Sequence, residues 1–102
     1  MKLKDLSVDH IALNVSSIEE SISWYSENFD IDIIYKDESW ALFSLAGTKF
    51  ALTLKKDHPP HVGFLVKEFP NSLLKEVKRH RDDTEFVYIV DNSGNILELI
   101  KR

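Results

Sequence analysis

The sequence has 102 residues, of which 43% are hydrophobic and 29% are charged, and its formal net charge is -4. A chain of this length fits one domain with a single core. Because it contains no cysteine, disulfide frameworks, thiolate nucleophiles and zinc–thiolate sites are excluded. The acidic balance argues against nucleic acid as a partner. No apolar run reaches transmembrane length, so we expect a cytoplasmic protein with no membrane partner.

The first half of the chain predicts a strand, a helix and three further strands. The helix is expected over residues 16–29, where apolar residues recur at helical spacing. Ser17 and Glu20 form a capping-box pattern at its start. Alternating or β-rich runs predict the strands, which are 8–15 before the helix and then 31–36, 39–45 and 49–55.

The same order begins again after the sequence DHPP, which breaks the chain. A strand is expected at 61–67 and a helix at about 70–80, followed by two strands that the turn DNSGN separates, at about 85–91 and 95–101. We therefore predict an α+β fold of paired βαβββ modules, the second one shortened, which form a half-open mixed β-barrel cleft. The modules, at about 6–57 and 58–102, make up a single domain over 1–102.

The two halves also align residue by residue. His10 aligns with His61 at an offset of 51 positions, whereas the glycines before the last strand of each half align at an offset of 47. The second half has therefore lost four residues between its helix and its last strand. In this alignment Glu98 falls opposite Ala51.

Strand alternation places three polar residues on the face that the helix-packing residues avoid, because residues two apart on a strand share a face. If two pseudo-symmetric sheets curve toward each other, His10, His61 and Glu98 converge in a cleft. Two neutral imidazoles and one carboxylate make a facial triad that holds a divalent metal and leaves coordination positions open. Such a metal works as a Lewis acid or activates oxygen.

Each of these residues also has an ordinary structural interpretation. A lone histidine on a strand is more often a hydrogen-bonded core or edge residue, and a lone glutamate at a strand end is usually solvated. The repeat-related placement of the three residues favours the metal site. Of the other histidines, His58 is expected in a loop and His80 at a helix end, where a charged imidazole suits the helix dipole. Neither is assigned a ligand role.

A substrate wall is predicted from pairing across the hairpin around Gly47. This pairing places Trp40 opposite Thr53 and Leu42 opposite Ala51. We assign Trp40, Ala51 and Thr53 to substrate binding, with ordinary packing as the alternative for the tryptophan. The catalytic base is unassigned, because spacing places none of the tyrosines near the site: Tyr25, Tyr35 and Tyr88.

With His10 in DHIALNV, His61 in HVGFLV and Glu98 in SGNILELI, the sequence resembles the vicinal oxygen chelate superfamily. This superfamily includes glyoxalase I, extradiol dioxygenases, and fosfomycin- and bleomycin-resistance proteins. The resemblance implies paired βαβββ modules around a metal, with His10, His61 and Glu98 as its ligands. Glyoxalase I carries a fourth ligand, Glu or Gln, where this chain has Ala51. The triad therefore looks more like the dioxygenase or fosfomycin-transferase pattern.

Two classes of function stay open. The first is an enzyme of the lyase, isomerase or dioxygenase type that depends on a divalent metal ion, Fe, Mn, Zn or Ni, and acts on a small metal-chelating oxygenated substrate. The second is a metal-free drug or metabolite binding protein of the bleomycin-resistance type. The intact triad favours the enzyme. A shortened half-barrel leaves strand edges exposed, so we also expect a homodimer.

Overall fold

The computed structural model describes residues 2–102, which divide into two compact units. The amino-terminal unit comprises His10–Pro60. The carboxy-terminal unit comprises His61–Arg102 together with the amino-terminal segment through Asp9. Strand β1, Ser7–Val15, therefore begins in the carboxy-terminal unit and continues into the amino-terminal one.

The amino-terminal unit contains one helix and three strands after β1. These elements are α1 (Ile18–Asn28), β2 (Ile31–Lys36), β3 (Trp40–Leu45) and β4 (Thr48–Leu54). The strands lie in the order β2-β3-β4-β1; β4 and β1 are parallel, and the other pairs are antiparallel. All elements predicted for this half are confirmed within two residues.

Helix α1 forms because its start is capped and one side is apolar. The hydroxyl of Ser17 accepts a hydrogen bond from the backbone N–H of Glu20 at 3.2 Å, which satisfies one of the N–H groups that a helix start leaves unpaired. Ile18 and Ile22, four residues apart on one side of the helix, are buried with Phe43 of β3. The helix therefore covers one face of this sheet and leaves the other face for different side chains.

The carboxy-terminal unit repeats this order, and most of its elements are shorter. They are β5 (His61–Leu65), a 3-10 helix (Asn71–Glu76), β6 (Lys78–Arg79), β7 (Glu85–Val90) and β8 (Ile96–Lys101). The strand order is β5-β8-β7-β6, in which β5 and β8 are parallel and the other pairs antiparallel. Its core is a separate cluster of buried residues: Val66, Phe69, Val87 and Leu99.

The helix predicted at about 70–80 is wrong. A 3-10 helix ends at Glu76, and Val77 is already extended with φ -64° and ψ 131°. Among the described residues, no side chain caps the first turn after Pro70, so this segment lacks the bond that stabilises the start of α1. The four-residue loss shortens the next strand to the two residues of β6. No helix formed by residues 2–102 is long and apolar enough to cross a membrane.

Strand register within each unit agrees with the alignment of the two halves. Ala12 of β1 pairs with Ala51 of β4, and Gly63 of β5 pairs with Glu98 of β8. The first members of these pairs are 51 positions apart and the second members 47, the same offsets that the sequence alignment requires. Ala51 is therefore the structural counterpart of Glu98.

The β3–β4 hairpin has the pairing that the sequence predicts. Trp40 pairs with Thr53 and Leu42 pairs with Ala51. The turn residue Gly47 has a φ of 77°, and the residue before it is also at positive φ. This geometry suits a two-residue hairpin turn, whose twist matches that of the flanking strands.

Candidate metal centre

Two of the predicted metal ligands, His61 and Glu98, face each other in the carboxy-terminal unit. His61 is the first residue of β5, and Gly63, two residues later on the same face, pairs with Glu98 of β8. The next residue of β8, Leu99, points the other way into the core. The distance between His61 Nε2 and Glu98 Oε1 is 3.6 Å.

This pair fits a divalent metal ion. Glu98 is 1% exposed and His61 is 9% exposed, and burying a carboxylate is costly unless a cation or hydrogen bonds compensate it. Their 3.6 Å separation is longer than a hydrogen bond. It lies within the span of two ligands that each bind one ion at about 2.0–2.2 Å. Imidazole nitrogen and carboxylate oxygen are also donors that zinc, iron and manganese accept.

A second imidazole, that of His80, also contacts Glu98. Its Nε2 lies 2.8 Å from Glu98 Oε2, and its ring stacks on Phe86 with centroids 3.7 Å apart. The prediction that His80 ends a helix is wrong, because this residue follows β6 in the β6–β7 loop. The contact was missed because the predicted helix extended over the residues that form β6.

Tyr88 also belongs to this site, although no role was predicted for it. It pairs with Glu98 across β7 and β8, and its ring meets that of His61 edge-on at a centroid distance of 5.3 Å. Burial, together with the carboxylate of Glu98, raises the pKa of Tyr88 to about 12. The phenol therefore stays protonated at neutral pH. The sequence repeat could have predicted this contact. Leu42 is predicted to pair with Ala51, and the corresponding pair in the second half is Tyr88 with Glu98.

The third predicted ligand, His10, lies on β1 at the start of the amino-terminal unit. It precedes Ala12 by two residues and so shares a face of the strand with it. Ala12 pairs with Ala51, and both of these methyl side chains are buried. Ala51, the counterpart of Glu98, offers no ligand atom. The assignment of His10 as a ligand stays a prediction.

The predicted substrate residues Trp40 and Thr53 lie side by side on the same sheet. Thr53 is 7% exposed, and its hydroxyl accepts a hydrogen bond from Asn14 Nδ2 at 3.0 Å. The same amide nitrogen donates to the backbone carbonyl of His58 at 2.8 Å. The ring of Trp40 packs against Tyr35 with centroids 4.7 Å apart. His58 itself is exposed in the loop where it was expected.

Comparison with known proteins agrees with the fold. The family model of the Glyoxalase/Bleomycin resistance protein/Dioxygenase superfamily matches residues 7–102. The chain is 29% identical over 116 residues to the metallothiol transferase FosB of Bacillus licheniformis, a match that covers 94% of this chain and 75% of that protein. It is 30% identical over 112 residues to FosB of Lysinibacillus sphaericus, covering 90% of this chain and 79% of that protein.

Solved structures share the same fold. The hypothetical protein BH1468 from Bacillus halodurans C-125 aligns with a TM-score of 0.78 at 14% identity, over 97% of this chain and 96% of that one. A glyoxalase/bleomycin resistance protein/dioxygenase superfamily member from Vibrio splendidus 12B01 aligns with a TM-score of 0.72 at 14% identity, over 94% of this chain and 97% of that one. This chain therefore belongs to the Glyoxalase/Bleomycin resistance protein/Dioxygenase superfamily.

Proposed function

We propose that this protein is a divalent-metal-dependent enzyme that acts on a small oxygenated substrate, with His10, His61 and Glu98 as the metal ligands. The buried pair of His61 and Glu98 is the observation that carries the proposal, since two such donors 3.6 Å apart suit one ion better than they suit a hydrogen bond. The relatives named metallothiol transferases favour thiol transfer over lyase, isomerase or dioxygenase chemistry. The metal is Fe, Mn, Zn or Ni.

The ligand set determines what chemistry the ion supplies. Three protein ligands leave coordination positions for a substrate oxygen, and a divalent ion bound there acts as a Lewis acid on that oxygen. Ala51 contributes no donor, which keeps one of those positions available. Burial and the carboxylate of Glu98 raise the pKa of the Tyr88 phenol, which favours its protonated form beside Glu98.

Substrate binding is proposed for Trp40, Ala51 and Thr53. Thr53 Oγ1 already accepts a bond from Asn14, and this bond directs its own hydroxyl hydrogen toward a second acceptor, such as a substrate oxygen. The indole of Trp40, opposite Thr53 on the neighbouring strand, provides an apolar surface for the rest of a small molecule.

Metal content is the first test. Protein purified without chelator should contain about one divalent ion per chain, as one facial triad requires. His61→Ala and Glu98→Ala should each lose it, whereas His58→Ala, a change at an exposed loop histidine, should retain it. Elemental analysis by mass spectrometry measures all four proteins. Equal metal content in the four, or none in the parent after incubation with each of the four metals, would refute the metal hypothesis and leave metal-free binding of a drug or metabolite as the alternative.

We also propose that the protein forms a homodimer through β2. This strand lies at one end of the strand order, and three consecutive large residues on it are exposed, Ile33, Ile34 and Tyr35. An exposed apolar strand at the edge of a sheet favours pairing with another chain. A second copy of this chain provides the same surface by symmetry.

Analytical ultracentrifugation tests the dimer. The parent should sediment as a dimer, and Ile34→Lys should shift it toward the monomer because a charge would be buried in the interface. Val90→Lys is the matched control, since Val90 is also exposed but lies on β7. A parent that stays monomeric at 100 µM, or equal effects of the two substitutions, would contradict this interface.

A further inference from the structure

We propose that His80 is a positioning residue that holds one oxygen of Glu98, so that the other oxygen alone serves as a metal ligand. This inference rests on the proposed metal site. It assigns a role to a histidine that lies outside the predicted triad. The backbone, the ring and the Nε2 atom of His80 are each fixed within the carboxy-terminal unit.

The backbone of His80 is fixed by the loop between β6 and β7. Its N–H donates to the carbonyl of Thr84 at 2.9 Å, and its carbonyl accepts from the N–H of Asp83 at 3.0 Å. Asp83 has a φ of 67°, which closes the loop in the left-handed region that aspartate tolerates. Asp82 further braces the loop through its side-chain bonds to Thr84. The Cβ of His80 therefore starts from a well-defined position.

The imidazole ring of His80 is fixed by Phe86. The two rings are parallel within 7°, with centroids 3.7 Å apart, and Phe86 is 8% exposed in the sheet. Stacking on a buried neighbour restricts both torsions of the histidine side chain. The direction in which Nε2 points is therefore set before any metal binds.

The Nε2 of His80 points at one oxygen of Glu98. The distance to Oε2 is 2.8 Å, whereas Oε1 of the same carboxylate faces His61 Nε2 at 3.6 Å. An ionised carboxylate only accepts hydrogen bonds, so His80 is the donor. The two oxygens thus have separate partners, and the bond to His80 opposes rotation of the carboxylate into a bidentate position.

The first half of the chain supports this interpretation by contrast. Trp40 on β3 and Phe86 on β7 hold equivalent positions. The ring of Tyr35 packs tilted against Trp40, and the ring of His80 stacks on Phe86. The hydroxyl of Tyr35 bonds to Asp37 of its own loop, and no carboxylate stands at the position equivalent to Glu98. A tyrosine therefore satisfies the packing requirement against Trp40, the counterpart of Phe86. The imidazole occurs in the half that holds the buried carboxylate.

Three substitutions separate the hydrogen bond from the stacking. His80→Phe keeps an aromatic ring on Phe86 but removes the donor, and His80→Gln keeps a donor near the position of Nε2. His58→Phe is the matched control at an exposed histidine. We expect His80→Phe to weaken Mn²⁺ affinity by about 10–100-fold, the usual effect of removing a partner of a metal ligand. His80→Gln should bind Mn²⁺ more tightly than His80→Phe, and His58→Phe should bind it like the parent.

Isothermal titration with Mn²⁺ measures these affinities, and circular dichroism verifies that each variant is folded. Parental affinity in folded His80→Phe would overturn the inference. Equal loss in His80→Phe and His80→Gln would also overturn it, because it would make His80 a ligand instead of a positioning residue.

A second measurement distinguishes failure of this inference from failure of the proposed function. In metal-free protein labelled with ¹⁵N, long-range ¹H–¹⁵N spectra should show His80 protonated at Nε2, and Glu98→Ala should shift that signal. A His80 signal insensitive to Glu98→Ala would overturn the positioning role whether or not the parent binds Mn²⁺. A sensitive signal in a parent that binds none of the four metals would instead refute the proposed function, and the contact would then be structural only.

Discussion

Replacing Ala51 with glutamate tests whether the repeat places this residue at the metal. Ala51 is the counterpart of Glu98 and is 8% exposed, so the new carboxylate enters a buried position. Its cross-strand neighbours, Ala12 and Leu42, have no polar side-chain atoms to compensate the charge. Without metal, Ala51→Glu should therefore lower the free energy of unfolding by about 3–5 kcal/mol, the range for an uncompensated buried charge.

Added metal should recover part of this loss if the new carboxylate becomes a ligand. Each tenfold gain in metal affinity corresponds to about 1.4 kcal/mol. A saturating ion transmits this gain to the stability of the folded state. The deficit of Ala51→Glu relative to the parent should thus shrink by about 1.4 kcal/mol for each tenfold gain. Binding of a small bidentate chelator such as acetohydroxamate should weaken, because one coordination position is filled.

Urea unfolding in EDTA and in excess Mn²⁺ measures both effects. Lys49→Glu is the control, because Lys49 lies two residues before Ala51 on β4, on the same face, but is exposed. This variant should change stability by less than about 0.5 kcal/mol in either condition. An equal deficit of Ala51→Glu with and without Mn²⁺ would refute the placement of Ala51 at the site. It would also remove the argument that this position leaves a coordination site open.

Three further predictions concern pH, a turn and the core. Metal affinity should decrease as the pH falls below about 6, because histidine ligands bind only in their neutral form. Mn²⁺ titrations at pH 5.5 and 7.5 measure this decrease. Equal affinities at the two pH values would contradict histidine ligation. Asp91→Ala should lower Tm at pH 7, since bonds from the side chain of Asn95 and from the backbone N–H groups of Ser93 and Asn95 hold the pKa of Asp91 below its usual range. Such a group stabilises the fold above its unfolded pKa of about 4 and loses this effect as pH falls. The Tm values of parent and variant, measured by thermal scans, should therefore converge in acid. A Tm difference that stays constant with pH would contradict this role. Phe43→Ala should lower the free energy of unfolding by about 3–5 kcal/mol, because Phe43 is 0% exposed. Denaturant unfolding measures this loss, and a loss under about 1 kcal/mol would contradict the place of Phe43 in the core.

The strand pairings could be predicted from sequence because local geometry determines them. Alternation assigns each side chain to a face, and a short turn determines which residues lie opposite each other. Gly47 at a two-residue turn was sufficient to place Trp40 opposite Thr53, as the structure shows. The β7–β8 hairpin has a longer turn, because its last pair is Val90 with Ile96. Alternation placed His61 and Glu98 on the face that the helix-packing residues avoid, and the structure shows their side chains 3.6 Å apart.

The place of His80 could not be predicted in this way. The apolar spacing around Leu73 and Val77 indicates a helix, and sequence periodicity does not distinguish a long helix from a 3-10 helix followed by a strand. Which of these two structures forms depends on the length of the segment. This half lacks four residues, and the chain must still form β6 close enough to β7 to pair with it. That tertiary requirement ends the helix early. It places His80 in a hairpin loop, from which the imidazole contacts Glu98.

The contrast between Ala51 and Glu98 also bears on why a carboxylate is buried at all. Both residues hold the same register position in their units, and both are at most 8% exposed. The amino-terminal unit builds its sheet with a methyl group there, so the fold does not require a charge at this position. Replacing buried charges with apolar groups is often neutral or stabilising. Glu98, with the imidazoles of His61 and His80 on its two oxygens, is therefore better explained by what the carboxylate binds than by what it contributes to stability.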